Sequence, residues 1–450
     1  MRGRSGVSRP ASTPPEYALD GDAPVQPAHN APSQRPELPA PLLATLGSGL
    51  GTWLAVIALT VDIFDRTGSG GWVSALLIAS FLPSVGIGLL LGPLLDRLSR
   101  QRLMIGADLV RAVVFCVLPF LDSAHGIVAL AAVAGLASGF FTPAVYAGLP
   151  NLVPDESLSG ANALFRSVEY LASAIGPVLG GVLVAVASPD VAYWLNAATF
   201  VVSAVLIARI PQRLLQSEVA TSRGHWHDLA DGFSVVLRSR ALLIVLVAWS
   251  LAVVGNAGVN VAEVVLAKVT FSAGNVGFGL LAAGSGVGLV VGSLGAGGLL
   301  DRRGVVPIYA GGLALMGLGV GAAAISPNVW VAIVCVVVSG LGNGVAVVCN
   351  SLLVQRGAPD RLRGRAFTVI MSTNFAVLGL AMVAAGRLTD TVGARWVWGG
   401  SAVAAGLAAV AALVIARGAV DIRGTSEAQA EPPPIAPAVA PAREPLGPPV

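Results

Sequence analysis

The chain has 450 residues, 55% of them hydrophobic and only 11% charged, with a mean hydropathy of +0.79 and a formal net charge of +3. So few charges cannot coat a water-soluble protein of this length, so its main solvent is lipid. The lone lysine, Lys268, follows Ala267, which excludes a Gly-Lys-Ser/Thr phosphate loop and ATP hydrolysis by that device.

Residues 1–40 are rich in Pro, Ala, Ser and Gly without apolar periodicity, which predicts a disordered tail, as do residues 418–450. The first apolar stretch starts too late for a typical signal peptide and no small-residue cleavage site follows it, so it is expected to be retained. A span needs about 20 apolar residues. Charge-poor intervals supply one each at 42–61, 67–95, 126–153, 170–189, 191–208, 241–262, 269–300, 366–386 and 396–416. The 52 uncharged residues of 304–355 hold two more, divided at Ser326-Pro327-Asn328. Only ten residues separate Arg111 from Asp122, too few to cross a bilayer. A third helix must therefore begin near Leu103 and carry Asp108 and Arg111, spaced i, i+3, within it. The expectation is an all-α membrane protein of twelve helices. Its six-helix halves, 41–210 and 241–417, flank a linker, 211–240, where 228–237 can form a short amphipathic surface helix.

The chain also repeats itself. Gly92-Pro93-Leu94-Leu95-Asp96-Arg97 returns as Gly297-Gly298-Leu299-Leu300-Asp301-Arg302, Pro154-Asp155 as Pro359-Asp360, and Gly181 as Gly386, each 205 residues on (301 − 96). A duplicated half in a membrane protein is the signature of a transporter built from two pseudo-symmetric halves. With both termini cytoplasmic, fourteen arginines fall in inner loops, including Arg97, Arg100, Arg102 and Arg302. The outer loops hold four basic residues, Arg66, Lys268, Arg387 and Arg395. That asymmetry sets the orientation, and the positive net charge reflects topology, giving no case for nucleic acid.

Ionisable groups inside spans are functional candidates by default. Asp62 lies in register with Ser48 and Thr52 on helix 1, or is an interfacial acid beside Asp65 and Arg66. Glu263 ends a stripe with Asn256 and Asn260 on helix 7, or pairs with Lys268. Ser339, Asn343 and Asn350 form a stripe on helix 10. Glu169 and Asp108 each have an arginine three residues away, Arg166 and Arg111, and read as proton carriers or as paired anchors. The amides of Asn256 and Asn260 are expected to hydrate the Glu263 carboxylate. No metal or cofactor is implied: His225-Trp226-His227 lacks a third ligand, and Cys116, Cys335 and Cys349 read as packing residues. No nucleophile–base constellation points to an enzyme.

Gly92-x-Leu94-x-Asp96-Arg97-x-x-Arg100-x-Arg102 resembles the loop signature of the major facilitator superfamily, with Ser99 where that family usually has glycine. Gly176-Pro177-Val178-Leu179-Gly180-Gly181 resembles the antiporter motif of its proton-coupled drug exporters, with Ala172 in place of an expected glycine. Asp108-Leu109-Val110-Arg111-Ala112, Asn196-Ala197-Ala198-Thr199-Phe200 and Gln355-Arg356 with Pro359-Asp360-Arg361-Leu362-Arg363-Gly364-Arg365 resemble the macrolide-efflux and enterobactin-exporter branch. The resemblance spans about residues 41–417. It implies a central cavity lined by helices 1, 4, 7 and 10, and a loop latch in which Asp96 meets a basic residue or a helix N-terminus. It further implies proton-coupled efflux of drug-, macrolide- or siderophore-like compounds by a monomer in the cell membrane. Uptake or flipping of a small metabolite or lysolipid, and a non-transporting sensor or accessory subunit, are the alternatives.

Overall fold

The computed structural model describes residues 39–95, 99–152, 155–211, 233–358 and 360–417. Twelve of its helices are long and apolar enough to cross a membrane. They are α1 (Pro39–Thr67), α2 (Gly70–Leu95), α3 (Arg100–Val117), α4 (Ala124–Leu152), α5 (Asp155–Val186) and α6 (Pro189–Ala208). The second six are α7 (Arg240–Thr270), α8 (Gly274–Arg303), α9 (Val305–Ala324), α10 (Val329–Gly357), α11 (Asp360–Val392) and α12 (Ala394–Arg417). The third span starts at Arg100, three residues before Leu103, and a 3₁₀ turn, Leu118–Phe120, completes it. The uncharged run divides at 325–328, as the Ser-Pro-Asn break predicts. Of the expected linker helix, residues 233–238 are seen as helix, and 212–232 lie outside the described residues.

Polar residues set the helix starts. The Asn328 side chain accepts the Val331 N–H at 3.0 Å, and Ser99 and Ser188 accept those of Arg102 and Val191 at 3.4 Å. The serine that departs from the family signature is thus the N-cap of α3. Gly393, with φ 91°, turns the chain between α11 and α12 in a conformation that side chains resist. Outward-facing Val113, Phe120, Leu294, Leu380 and Trp396 are exposed, as a lipid-facing surface requires.

The packing repeats with the sequence. In the first half α1 packs on α5 and α6, α2 on α4, and α3 on α4 and α6. In the second, α7 packs on α11 and α12, α8 on α10, and α9 on α10 and α12. Adding six to each helix number converts one set into the other. The main contacts between halves, α5 on α8 and α2 on α11, are related in the same way.

Glycines make those contacts close. A β-carbon at Gly181 would lie 2.8 Å from the Asn275 carbonyl oxygen and 2.9 Å from the Gly279 α-carbon. One at Gly386 would lie 3.1 Å from the Gly70 carbonyl oxygen and 2.8 Å from the Ser74 β-carbon. These are one contact seen twice, because Gly181 and Gly386, Asn275 and Gly70, and Gly279 and Ser74 are each 205 residues apart (386 − 181, 275 − 70, 279 − 74).

Polar contacts reinforce the same end of the bundle. Asp390 of α11 accepts the Gly70 N–H at 2.6 Å, the Gly71 N–H at 3.0 Å and the Ser69 hydroxyl at 2.8 Å, so it caps α2 from the opposite half. Ser74 donates to the Met382 carbonyl at 2.6 Å, and Lys268 pairs with Asp65 across the halves. Away from this closed end, positions for β-carbons at Gly86 of α2, Gly160 of α5 and Gly295, Gly297 and Gly298 of α8 have no described atom within 4 Å.

Candidate substrate cavity

Between the halves lies a cavity of 1190 Å³, large enough for a drug-sized compound. Helices α1, α4, α7 and α10 line it as the resemblance implies, and α2, α5, α8 and α11 also contribute. Its wall mixes aromatic rings, among them Trp53, Phe81, Phe367 and Phe375, with hydroxyls such as Thr52, Ser80, Ser138 and Ser372. Such a surface binds apolar bodies and leaves hydrogen bonds for scattered polar groups.

On α7, Asn256, Asn260 and Glu263 all face the cavity, because i, i+4 and i+7 share a helix face. The Asn260 amide donates to the Asn256 carbonyl at 2.8 Å and also meets the Asn256 side chain. The two amides are therefore bonded to each other and not to the acid. Glu263 is 7% exposed and has no hydrogen bond or ion pair among the described residues. Lys268 does not pair with it. Five residues on, Lys268 lies about 140° around the helix, within a π-type turn, Leu266–Thr270, and reaches Asp65 instead.

Other candidates separate. Ser48 and Thr52 line the cavity, but the last wall residue of α1 is Thr60. Asp62 lies past the point where the bundle closes. Its carboxylate accepts from Arg66 Nε at 2.7 Å and from the Tyr193 hydroxyl of α6 at 3.0 Å, so the cavity register drawn for it does not hold. Ser339 and Asn343 of α10 face the cavity, whereas Asn350 is turned toward Tyr309 in the packing between α9 and α10. Glu169 lines the cavity from α5 beside Ser173 and Pro177. The Arg166 side chain lies outside the described residues.

Asp108 is fully buried, off the cavity, and ion-paired with Arg111. Arg111 does reach the cavity wall. Sequence spacing shows the pair, but which partner faces inward depends on how α3 sits against α4 and α6.

The antiporter-like motif packs α5 on two sides. β-Carbons at Gly176 and Gly180 would lie 2.5 Å from the Trp53 β-carbon and 2.8 Å from the Leu54 carbonyl oxygen of α1, while Gly181 meets α8. Pro177 touches the cavity from between them. Of the loop motif, Arg100 and Arg102 open α3. Gly92 belongs to α2 and Asp301 and Arg302 to the last turn of α8, and their side chains, with all of Asp96 and Arg97, lie outside the described residues.

The family model of the Major Facilitator Superfamily matches residues 42–271 and 250–449. The chain belongs to that superfamily. It is a transporter, an integral membrane protein and not an enzyme. Among similar proteins, the multidrug efflux pump Tap of Mycobacterium tuberculosis is 26% identical over 379 residues, covering 78% of this chain and 87% of that one. Macrolide efflux protein A of Streptococcus pyogenes is 20% identical over 346 residues, covering 75% and 85%. Among solved structures, an inward-facing bacterial homologue of the iron transporter ferroportin superposes with a TM-score of 0.70 at 18% identity, covering 84% of this chain and 98% of that one. A peptide transporter superposes at 0.72 with 12% identity, covering 84% and 94%. The likeness to those structures is one of fold.

Proposed function

We propose that the protein is a proton-coupled exporter of amphipathic small molecules. It works as a monomer in the cell membrane with both termini cytoplasmic. The observation that carries this reading is Glu263, an acid without a partner among the described residues, on the wall of a large cavity of mixed apolar and polar character. A carboxylate there keeps its charge only at the cost of several kcal/mol unless water or a substrate group attends it. Proton binding removes that charge and alters what the cavity holds, which links a proton gradient to release. Similarity to efflux pumps supports the direction, and the arginine distribution makes the closed end the outer one, so the cavity faces the cytoplasm. The halves 41–210 and 241–417 then rock about the cavity, with Glu169 as a second cavity acid. The paired amides of Asn256 and Asn260, with Ser339 and Asn343, supply neutral hydrogen bonds.

The test is transport of candidate drugs into inside-out vesicles under a fixed pH gradient, comparing Glu263→Gln and Asp62→Asn with the parent. Glu263→Gln should abolish gradient-driven accumulation while leaving substrate exchange. Asp62→Asn should still accumulate substrate, since that acid is engaged by Arg66 and Tyr193 outside the cavity. Undiminished accumulation by Glu263→Gln would remove it as the obligatory proton carrier.

A further inference from the structure

Arg111 has donors that the protein does not use. A guanidinium carries five N–H groups on a planar fork. Nη2 binds Asp108 Oδ1 and Nε donates to the Ala107 carbonyl at 3.4 Å. Phe141 and Phe200 stack on the group, with ring centroids 4.5 Å and 4.3 Å from its central carbon. These contacts hold the fork in one plane and one place. Among the described residues Nη1 makes no hydrogen bond, yet it is absent from the buried, unsatisfied atoms, and the residue lines the cavity. The side chain is only 6% exposed.

An anchor alone does not account for this arrangement. A residue serving only to neutralise Asp108 would spend its donors on that acid, but Asp108 Oδ2, buried near the Ser203 hydroxyl, takes no hydrogen bond from the guanidinium. Arg111 also places a cation in a cavity whose other charged wall groups, Glu263 and Glu169, are acids. A rigid, aromatic-stacked guanidinium suits a carboxylate, to which it offers charge-assisted hydrogen bonds at small entropic cost.

We propose that Arg111 is an anion-recognising pole of the cavity, so that the substrates include amphipathic compounds bearing a carboxylate. This rests on the reading of the cavity as the substrate site and names the chemistry it accepts. Asp108 is then a positioning residue, which orients the fork and tempers its charge.

The experiment measures equilibrium binding of 2-naphthoate and its neutral analogue 2-naphthamide to the full chain in nanodiscs, by calorimetry, with thermal melts to verify folding. The parent should prefer the acid, and Arg111→Gln should lose about tenfold in 2-naphthoate affinity while 2-naphthamide is unchanged. Asp108→Asn keeps the volume and frees the guanidinium, so it should bind 2-naphthoate several-fold more tightly, a gain that a structural role alone does not produce. This variant keeps the idea testable if Arg111→Gln folds poorly. Equal binding of the two probes by the parent, or unchanged or weaker 2-naphthoate binding in Asp108→Asn, would overturn the anion pole and leave the cavity standing. Failure of both probes to bind the parent would overturn the cavity reading with it.

Discussion

The cap that Asp390 places on α2 is the sharpest lever on the closed end. Replacing Asp390 by alanine removes three hydrogen bonds at 2.6, 2.8 and 3.0 Å, two of them from N–H groups of the first turn of α2, of which that of Gly71 keeps only the Ser69 hydroxyl oxygen at 3.1 Å. Loss of an N-cap costs about 0.5–2 kcal/mol, and a carboxylate at a helix N-terminus adds about 0.3–1 kcal/mol that salt screens. Asp390 is exposed, so we take about 1.5 kcal/mol in all, roughly a twelvefold shift from closed toward open at that end. Asparagine retains one acceptor oxygen and should give about half that energy, a shift of about threefold. Spin labels at Ser123 and Thr391, with the three native cysteines replaced, read the separation of the halves by pulsed electron–electron resonance. The open fraction should rise in the order parent, Asp390→Asn, Asp390→Ala. Identical distance distributions in all three, or a larger shift for asparagine than for alanine, would refute the reasoning.

The glycine contacts and the topology are open to test as well. Gly181→Val forces side-chain atoms against the Gly279 backbone, which should destabilise the closed end by about 1–3 kcal/mol and abolish transport, whereas the open-lying Gly295→Val should be nearly silent in the same vesicle assay. Gly180→Val presses on α1 within one half, so its effect should appear as a lowered melting temperature with the Ser123–Thr391 distance unchanged in the protein that remains folded. Cysteine labelling from outside intact cells should modify positions 123 and 272 and spare 222 and 426. Outside labelling at 222 would reverse the proposed orientation.

The count and placement of helices were legible because lipid demands long apolar runs and the repeat doubles every clue. Even Gly386, whose only distinction in the sequence is its distance from Gly181, proves to make the matching contact. What stayed hidden depends on tilt and on partners from the other half. Asp62 shares a helical face with Ser48 and Thr52, but the bundle closes before that face reaches it, and Tyr193 from α6 claims its second oxygen. Asn350 lies on the same face as Asn343, yet neighbouring α9 receives it. Asp390 gave no signal because the repeat sets Ala185 at its mate position (390 − 205), and its capping role needs α2 to arrive from 320 residues away.

Two contacts related by a pseudo-dyad define a line, and a body pressed at two points on a line turns about it as a seesaw turns about its fulcrum. Here the two bearings differ. At Gly181 and Gly279 backbone slides on backbone with no side chain to unlatch, while at Gly386 the facing residue is Ser74, tied by its hydroxyl to Met382 and flanked by the Asp390 cap. One bearing is smooth and the other is pinned, so the threshold for movement is set at the α2–α11 side. A lever mounted in this way tips first at its unpinned bearing, which makes the α5–α8 seam the side where the closed end begins to part.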